Sequence, residues 1–201
     1  MLHVAIAALS GPSGGPATYA RRLVEALAAT GELRLSVLTD RPEHFAGPGV
    51  EAISLPTRGG LDRLRWQYWA LPRALRRLHA DVSHDTKNAL PWPLPAPAAV
   101  TVHDLAYHTV PETFSFGSRL FLRRATRDAA RRAAAVIVPS EATAADVRRF
   151  HPGCRERLHV VPHGIDPARE VPRQRGDDAL RRLDVREPYV LHVGTVQARK
   201  N

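Results

Sequence analysis

A doubly wound α/β domain, with a parallel sheet covered by helices on both faces, is the fold class this sequence predicts, on three observations. Short apolar runs alternate with amphipathic stretches along most of the chain. The runs are continuously apolar rather than half polar, as strands buried on both faces are. A glycine-rich turn, Ser10-Gly11-Pro12-Ser13-Gly14-Gly15, joins the first run to the first amphipathic stretch. The 201 residues, 44% hydrophobic and 24% charged, suffice for one ordinary domain or one and a half small ones.

Each element can be justified in order. Leu2–Leu9 is the first strand, and Pro16–Ala29 a helix with Tyr19, Leu23, Val24 and Leu27 at helical spacing and Gly31 as its stop. Leu33–Leu38 and Val50–Leu55 are strands. A turn at Gly59-Gly60 opens an arginine- and tryptophan-rich helix, 61–78, which Pro72 should break or kink. Asp81–His84 and Ala98–Val102 are strands on either side of a proline-rich loop, 91–97. From Ser118 to Ala134 an arginine arc (Arg119, Arg123, Arg124, Arg127, Arg131) opposes Phe121, Leu122, Ala125, Ala129 and Ala133, so the alanine side should lie on the sheet. Ala135–Val138 is a strand, Ser140 an N-cap for helix 141–150, and Leu158–Val161 a further strand.

The texture changes after Asp166. We divide the chain into an N-terminal α/β domain (1–166), a linker with a short helix from Asp177 to Leu183 (167–188), and a segment (189–201) that opens with an apolar strand, Tyr189–Val193, and reads as the start of an incomplete second domain. The expectation is a fragment of something larger.

Composition excludes several classes. The 17 prolines and 13 glycines are scattered, which is turn punctuation rather than a repeat. No window approaches about 18 consecutive apolar residues and no basic n-region precedes the first strand, so neither a membrane span nor a secretory signal is predicted, and the expected location is the cytoplasm. The lone Cys154 can form neither an intramolecular disulfide nor a thiolate zinc site. No His/Asp/Glu positions show the i, i+4 spacing of a zinc helix, so no metal is expected. A net charge of +9, from 29 basic and 20 acidic residues, suits an anionic partner, although arginine and alanine richness is also what a GC-rich coding sequence yields. No helix-turn-helix, zinc finger or aromatic RNA platform accompanies that charge, which argues against nucleic acid.

In open α/β sheets ligands bind beyond the carboxyl ends of strands, and four loops occupy such places. Gly14 and Gly15 precede a helix whose free N–H groups suit a phosphate, or they form a plain tight turn; neither the G-x-G-x-x-G spacing nor a P-loop lysine is present. His103 and Asp104 follow Val100-Thr101-Val102, suited to bonding a substrate hydroxyl or to a structural role. His84-Asp85-Thr86-Lys87-Asn88 is either an acceptor contact or a solvated turn. Ser140 and Glu141 open a helix, where capping alone explains the serine.

Taken together, Gly14-Gly15 before a helix, Val100-Thr101-Val102-His103-Asp104-Leu105, the stretch from Arg131 through Val138-Pro139-Ser140-Glu141 to Thr143, and Val160-Val161-Pro162-His163-Gly164-Ile165-Asp166 closely resemble glycosyltransferase family 4, retaining enzymes of the GT-B fold, in the same order. Tyr189 to Thr195 and Arg199-Lys200-Asn201 look like the first strand and phosphate loop of that family's donor-binding domain. The resemblance implies a Rossmann-like N-terminal half of a GT-B enzyme that transfers a sugar, with retention, from a nucleotide-sugar to a hydroxyl acceptor such as a glycan or glycolipid, without cofactor or metal. It places Gly14 and Gly15 near the donor diphosphate, His103 at the transferred sugar as the catalytic residue, and Arg199 and Lys200 at the leaving diphosphate. Asp104, Asp85, Lys87, Ser140 and Glu141 are candidate acceptor or cleft residues. Thr195 departs from the family, where an arginine commonly follows the glycine, and the acidic E-x7-E region lies outside the sequence. As a fragment the chain is expected to be inactive alone. The competing class is a non-catalytic sugar- or nucleotide-binding α/β module.

One further segment stands apart from this resemblance. Arg63, Arg65, Trp66, Trp69, Arg73, Arg76 and Arg77 combine arginine with tryptophan on one helix, which suits peripheral contact with an anionic membrane at the inner face; the other reading is core tryptophans with a solvated arginine face.

Overall fold

Seven strands form one parallel sheet in the order β3-β2-β1-β4-β5-β6-β7: β1 (Leu2–Ala8), β2 (Leu33–Thr39), β3 (Val50–Ser54), β4 (Val82–Asp85), β5 (Ala98–Thr101), β6 (Ala135–Val138) and β7 (Leu158–Val160). The computed structural model describes residues 1–9, 14–57, 60–165, 173–186 and 188–191. The expected fold class is therefore the observed one. Strand order grows one way from β1 to β3 and the other way from β4 to β7, so the direction of winding reverses between β1 and β4, where Ala7 sits opposite Asp85. A crevice at the carboxyl ends of the strands follows from that reversal.

Helices α1 (Gly15–Ala29), α2 (Gly60–Arg65), α3 (Leu71–Leu78), α4 (Ala106–Thr109), α5 (Phe116–Arg132) and α6 (Glu141–Phe150) cover the sheet. Three apolar clusters result. Ile6, Leu35 and Val37 pack with Ala20 and Val24 of α1 on one side. Ala5, Ala7 and Leu38 pack with Trp66, Leu71 and Leu75. The third and largest joins Val100, Val102, Val136 and Val138 to Ala129, Ala130, Ala144 and Val147. The alanine stripe of α5 is buried as expected, because a small-residue face lets helix and sheet approach closely, whereas Phe121 remains 43% exposed.

Several local expectations are corrected. Pro72 does not break its helix. The residues before it, Trp66–Ala70, form a π-helical turn in which the Leu71 N–H donates to the Trp66 carbonyl, and the helix continues as α3. Proline lacks an N–H and clashes with the carbonyl four residues back; the wider π turn removes both conflicts at once. Helix α5 begins at Phe116, not Ser118, because the Ser115 hydroxyl caps it by accepting from the Ser118 N–H. The strand expected from Tyr189 to Val193 is not formed over Tyr189–Leu191, and its last two residues lie outside the described set. A strand needs a neighbour to pair with, and an apolar run alone does not supply one.

The chain divides into two compact units, Met1–Pro162 and His163–Asn201. The second contains α7 (Arg173–Arg182), followed by a left-handed Asp184. Among the described residues no helix is long and apolar enough to cross a membrane.

Candidate functional site

Residues of α1, of the loop after β4 and of α6 meet His103, two residues beyond the end of β5. Its Nε2–H donates to the Thr86 carbonyl at 3.0 Å, and a carbonyl can only accept, so Nε2 carries a hydrogen. Its ring meets Tyr19 edge to face, with centroids 4.8 Å apart. Its own carbonyl accepts from the Thr143 hydroxyl at 3.3 Å. Tyr19 lies in the first turns of α1, Thr86 just past β4, and Thr143 in the first turn of α6. One histidine is thereby fixed by three separate elements.

Below it, the buried Thr101 hydroxyl joins the Tyr19 hydroxyl (3.0 Å) and His84 Nε2 (2.8 Å). Burial, reinforced by the charge of His103, pushes His84 down to about 4, so it is uncharged at neutral pH. Burial likewise raises Tyr19, with the Thr101 bond pulling the other way. The carboxyl of Asp85 is raised to about 7 by burial, opposed by the Lys87 amide (3.0 Å), by Gln67 Nε2 (3.4 Å) and by the Lys87 charge. Both Asp85 oxygens are thus engaged within the protein. His84, Asp85 and Thr86 are all buried, which corrects the reading of this loop as a solvated turn.

The other candidates are placed as follows. Gly14 is the N-cap of α1 at φ 105°, a conformation that any side chain would strain; Gly15 has an ordinary φ and open space where a Cβ would stand. Asp104 is exposed; its Oδ1 accepts from the Ala106 N–H and starts α4, while its carbonyl accepts from the Asn88 side chain. Lys87 sits in the loop after β4, at the same cluster. Ser140 caps α6 by accepting from the Thr143 N–H at 3.1 Å, so it touches the cluster through Thr143. Glu141 is not brought in: it points along α6 to Arg148 at 3.3 Å. Residues 10–13, Arg199 and Lys200 lie outside the described residues. Among the described residues no group of three His, Cys, Asp or Glu could hold a metal ion.

Sequence reasoning missed Tyr19, read as a packing residue, and it missed Thr101, Gln67 and Thr143. Only Tyr19 carried a signal, a hydroxyl on the apolar face of a helix; the others depend on contacts far apart in sequence.

Two open hollows lie nearby on the same unit. One of about 530 Å³ is lined by Tyr68, Leu90, Trp92, Leu120, Phe121 and Arg124; Tyr68 adjoins Gln67, which reaches Asp85. Another of about 820 Å³ is lined by Leu55, Arg65, Trp66, Trp69 and Arg73. The two tryptophans of that segment part company: Trp66 is buried in the core, and Trp69 is 62% exposed with the Arg73 guanidinium 4.9 Å from its ring.

A parallel, doubly wound sheet whose polar cluster sits beyond the carboxyl ends near the winding reversal defines a Rossmann-like domain, an architecture that binds ligands at that end of the sheet. Residues 13–169 match the model of Glycosyltransferase Family 4, and the chain belongs to that family. Among solved structures it is similar to WaaG, a glycosyltransferase involved in lipopolysaccharide biosynthesis, at 19% identity and a TM-score of 0.64 over 92% of this chain and 52% of that one. It is also similar to HepE from Anabaena, solved with UDP and glucose, at 17% identity and a TM-score of 0.61 over 91% of this chain and 50% of that one. A sucrose-phosphate synthase structure from Thermosynechococcus elongatus matches at 17% identity and a TM-score of 0.55, over 91% of this chain and 99% of that one. The chain spans about half the length of the first two. No curated protein matches the sequence.

Proposed function

We propose that this chain supplies the acceptor-side wall of a retaining glycosyltransferase that moves a hexose from a nucleotide-sugar to a hydroxyl acceptor. The observation that carries the reading is His103, immobilised by Thr86, Tyr19 and Thr143 at the winding reversal of a family 4 domain. A polar ring fixed before substrate arrives loses little freedom at the moment of reaction, which is what electrostatic support of a developing charge requires. In this reading His103 contacts the transferred sugar. The N–H groups after Gly14 and Gly15 face the donor diphosphate, and Arg199 and Lys200 neutralise the leaving group where a metal would otherwise do so. Asp85, bonded on both oxygens, positions the Lys87 loop rather than touching substrate.

The apolar groove beside Gln67 supports an acceptor with an apolar part, such as a glycolipid. Exposed Trp69, Trp92 and Phe116 near Arg73, Arg119 and Arg124 support peripheral contact with an anionic membrane, at the inner face of a cytoplasmic membrane. Co-sedimentation with liposomes at low salt tests that contact: Trp69→Ala should reduce retention on anionic vesicles, and equal retention on neutral and anionic vesicles would remove the membrane from the proposal.

For the reaction itself the test is His103→Ala in the full-length protein. Transfer should fall about 100-fold, the scale of losing one preorganised polar contact. The unfolding free energy should move by only about 1 kcal/mol, the worth of one hydrogen bond. Undiminished turnover by a folded variant sinks the assignment. The 201-residue chain by itself should bind nucleotide-sugars weakly and show no turnover, because transfer needs both walls of a cleft. Tight binding without turnover by the full-length protein would favour the non-catalytic binding module instead.

A further inference from the structure

Far from the His103 cluster, the structure gathers positive charge without a partner for it. Helix α6 starts at the cleft with Ser140 and ends at His151, about 15 Å away for its ten residues. A hollow of about 200 Å³ there is lined by Arg127, Arg131, Phe150, His151, Gly153 and Cys154. Water occupies about 30 Å³ per molecule in the liquid, so this volume exceeds a packing defect and has room for a tetrahedral oxyanion with water around it.

Three features of its wall point to one kind of occupant. His151 is 7% exposed, and its Nε2 has no hydrogen-bond partner among the described residues. His108 from α4 stacks on Phe150 at 4.3 Å and meets His151 edge to face at 5.7 Å; its Nε2 is unpartnered too, as is Arg123 Nε. Buried polar atoms are nearly always satisfied, so three orphans in one cluster are unusual. The second feature is charge. Arg127 and Arg131 form no ion pair or side-chain hydrogen bond among the described residues, in contrast to Arg132 one residue on, which is held by Asp128. The third is what the wall lacks: no residue lining the hollow is acidic. A cation is therefore disfavoured by like charge, and an apolar ligand by the orphaned polar atoms.

We propose that this hollow binds a phosphate group, gripped by Arg127 and Arg131 on α5 and by His151 with His108 behind it. Guanidinium forks match phosphate oxygens bidentately, and imidazole N–H groups supply the inner donors. The carboxyl end of α6 contributes about half a negative charge against such a ligand, which two full guanidinium charges outweigh. The electrostatics agree. Burial lowers both histidines, and the charges that lower them further are the surrounding ones: Arg123 and Arg127 for His108, and His108, Arg127 and Arg131 for His151. An anion placed among these groups relieves their mutual repulsion and stabilises protonated imidazoles. The proposal is independent of the sugar-transfer reading, because none of its residues belongs to the cleft.

The test is a titration of the 201-residue protein with inorganic phosphate at constant ionic strength, following the imidazole resonances of His108 and His151 by NMR. A saturable shift of both signals, absent with chloride, is expected. The variant Arg127→Gln/Arg131→Gln, altered only at exposed positions, should weaken it at least tenfold while leaving the His103 signal and the melting temperature in place. Vesicles containing phosphatidic acid form the second arm. Retention on them that the double variant loses assigns a lipid phosphate, whereas saturation by free phosphate without such retention assigns a soluble phosphate compound. No saturable shift and no variant-sensitive retention, or a double variant that binds phosphate as well as the parent, overturns the proposal.

Discussion

The two ends of α6 treat buried polar groups in opposite ways. At the cleft end, His84, Thr101, Tyr19, Asp85 and His103 are also drawn out of water, yet each has a named partner: His84 and Tyr19 on Thr101, Asp85 on Lys87 and Gln67, His103 on Thr86. At the far end, His108, His151 and Arg123 carry atoms with none. The cleft network is complete before any ligand arrives, so its role is to hold geometry. The far cluster leaves these atoms without a protein partner among the described residues, beside the charges of Arg127 and Arg131.

The largest way to break this contrast is at the hub of the complete network. Thr101→Val keeps shape but strands both His84 and Tyr19; we expect a loss of about 3 kcal/mol, from leaving two buried groups unsatisfied, read from the denaturant midpoint at unchanged m-value. A loss under about 1 kcal/mol would mean the network is looser than drawn.

The next effect separates the ends by pH. His151 lies near 4 in the folded protein against an ordinary 6.5, so its contribution is full above pH 6.5 and is lost as pH falls toward 4. His151→Phe should therefore be about as stable as the parent at pH 7, since an aromatic ring replaces an unsatisfied one. It should gain about 2 kcal/mol relative to the parent between pH 7 and 4.5. Parallel stability curves for the two proteins would contradict the burial of that ring. Asp85 runs in the reverse sense: raised to about 7 from an ordinary 3.8, it contributes most below 3.8 and loses that contribution as pH rises through 7. Asp85→Asn should accordingly flatten the decline in stability on the approach to neutral pH, which thermal melts across pH 4 to 8 will show.

The smallest stability effect sharpens the functional side. Gly15→Ala meets open space at an ordinary backbone angle, so stability should change by less than about 1 kcal/mol and in the favourable direction. If the α1 terminus faces a diphosphate, nucleotide-sugar affinity of the full-length protein should nonetheless drop about tenfold, a methyl standing where phosphate approaches. Unchanged affinity would return Gly15 to a plain turn.

Much of this architecture was legible from local pattern. Continuous apolar runs gave the strands of the sheet, the alanine stripe of α5 named its buried face, and Ser140 announced the start of α6. What escaped was non-local. Pro72 looked like a break because its conflict is with a carbonyl four residues back, and whether a π turn relieves that conflict depends on what Trp66 packs against. Trp66 and Trp69 are equivalent as letters, and only the packing of Leu38, Leu71 and Leu75 draws one of them inside. The stretch 84–88 looked solvated because its residues are polar; His84, Asp85 and Thr86 are buried because neighbouring segments satisfy their polar groups.

By itself the sequence determined what short-range forces determine: the order of the sheet strands and of the longer helices, and the capping serine that starts α6; that position 14 takes a backbone angle only glycine adopts without strain is a structural fact. The sequence also determined that His103 stands at the end of a strand. The tertiary structure alone decided what His103 touches. Tyr19 and Thr101 are 82 positions apart and meet because α1, which packs on β1 and β2, starts at the carboxyl end of the sheet, where the Tyr19 side chain reaches the end of β5. Periodicity reports which face of an element is apolar but not which element lies opposite. The convergence of α1, α6 and the residues after β4 on His103, and the gathering of Arg127, Arg131, His108 and His151 at the other end of α6, therefore exist only once the sheet has closed its order.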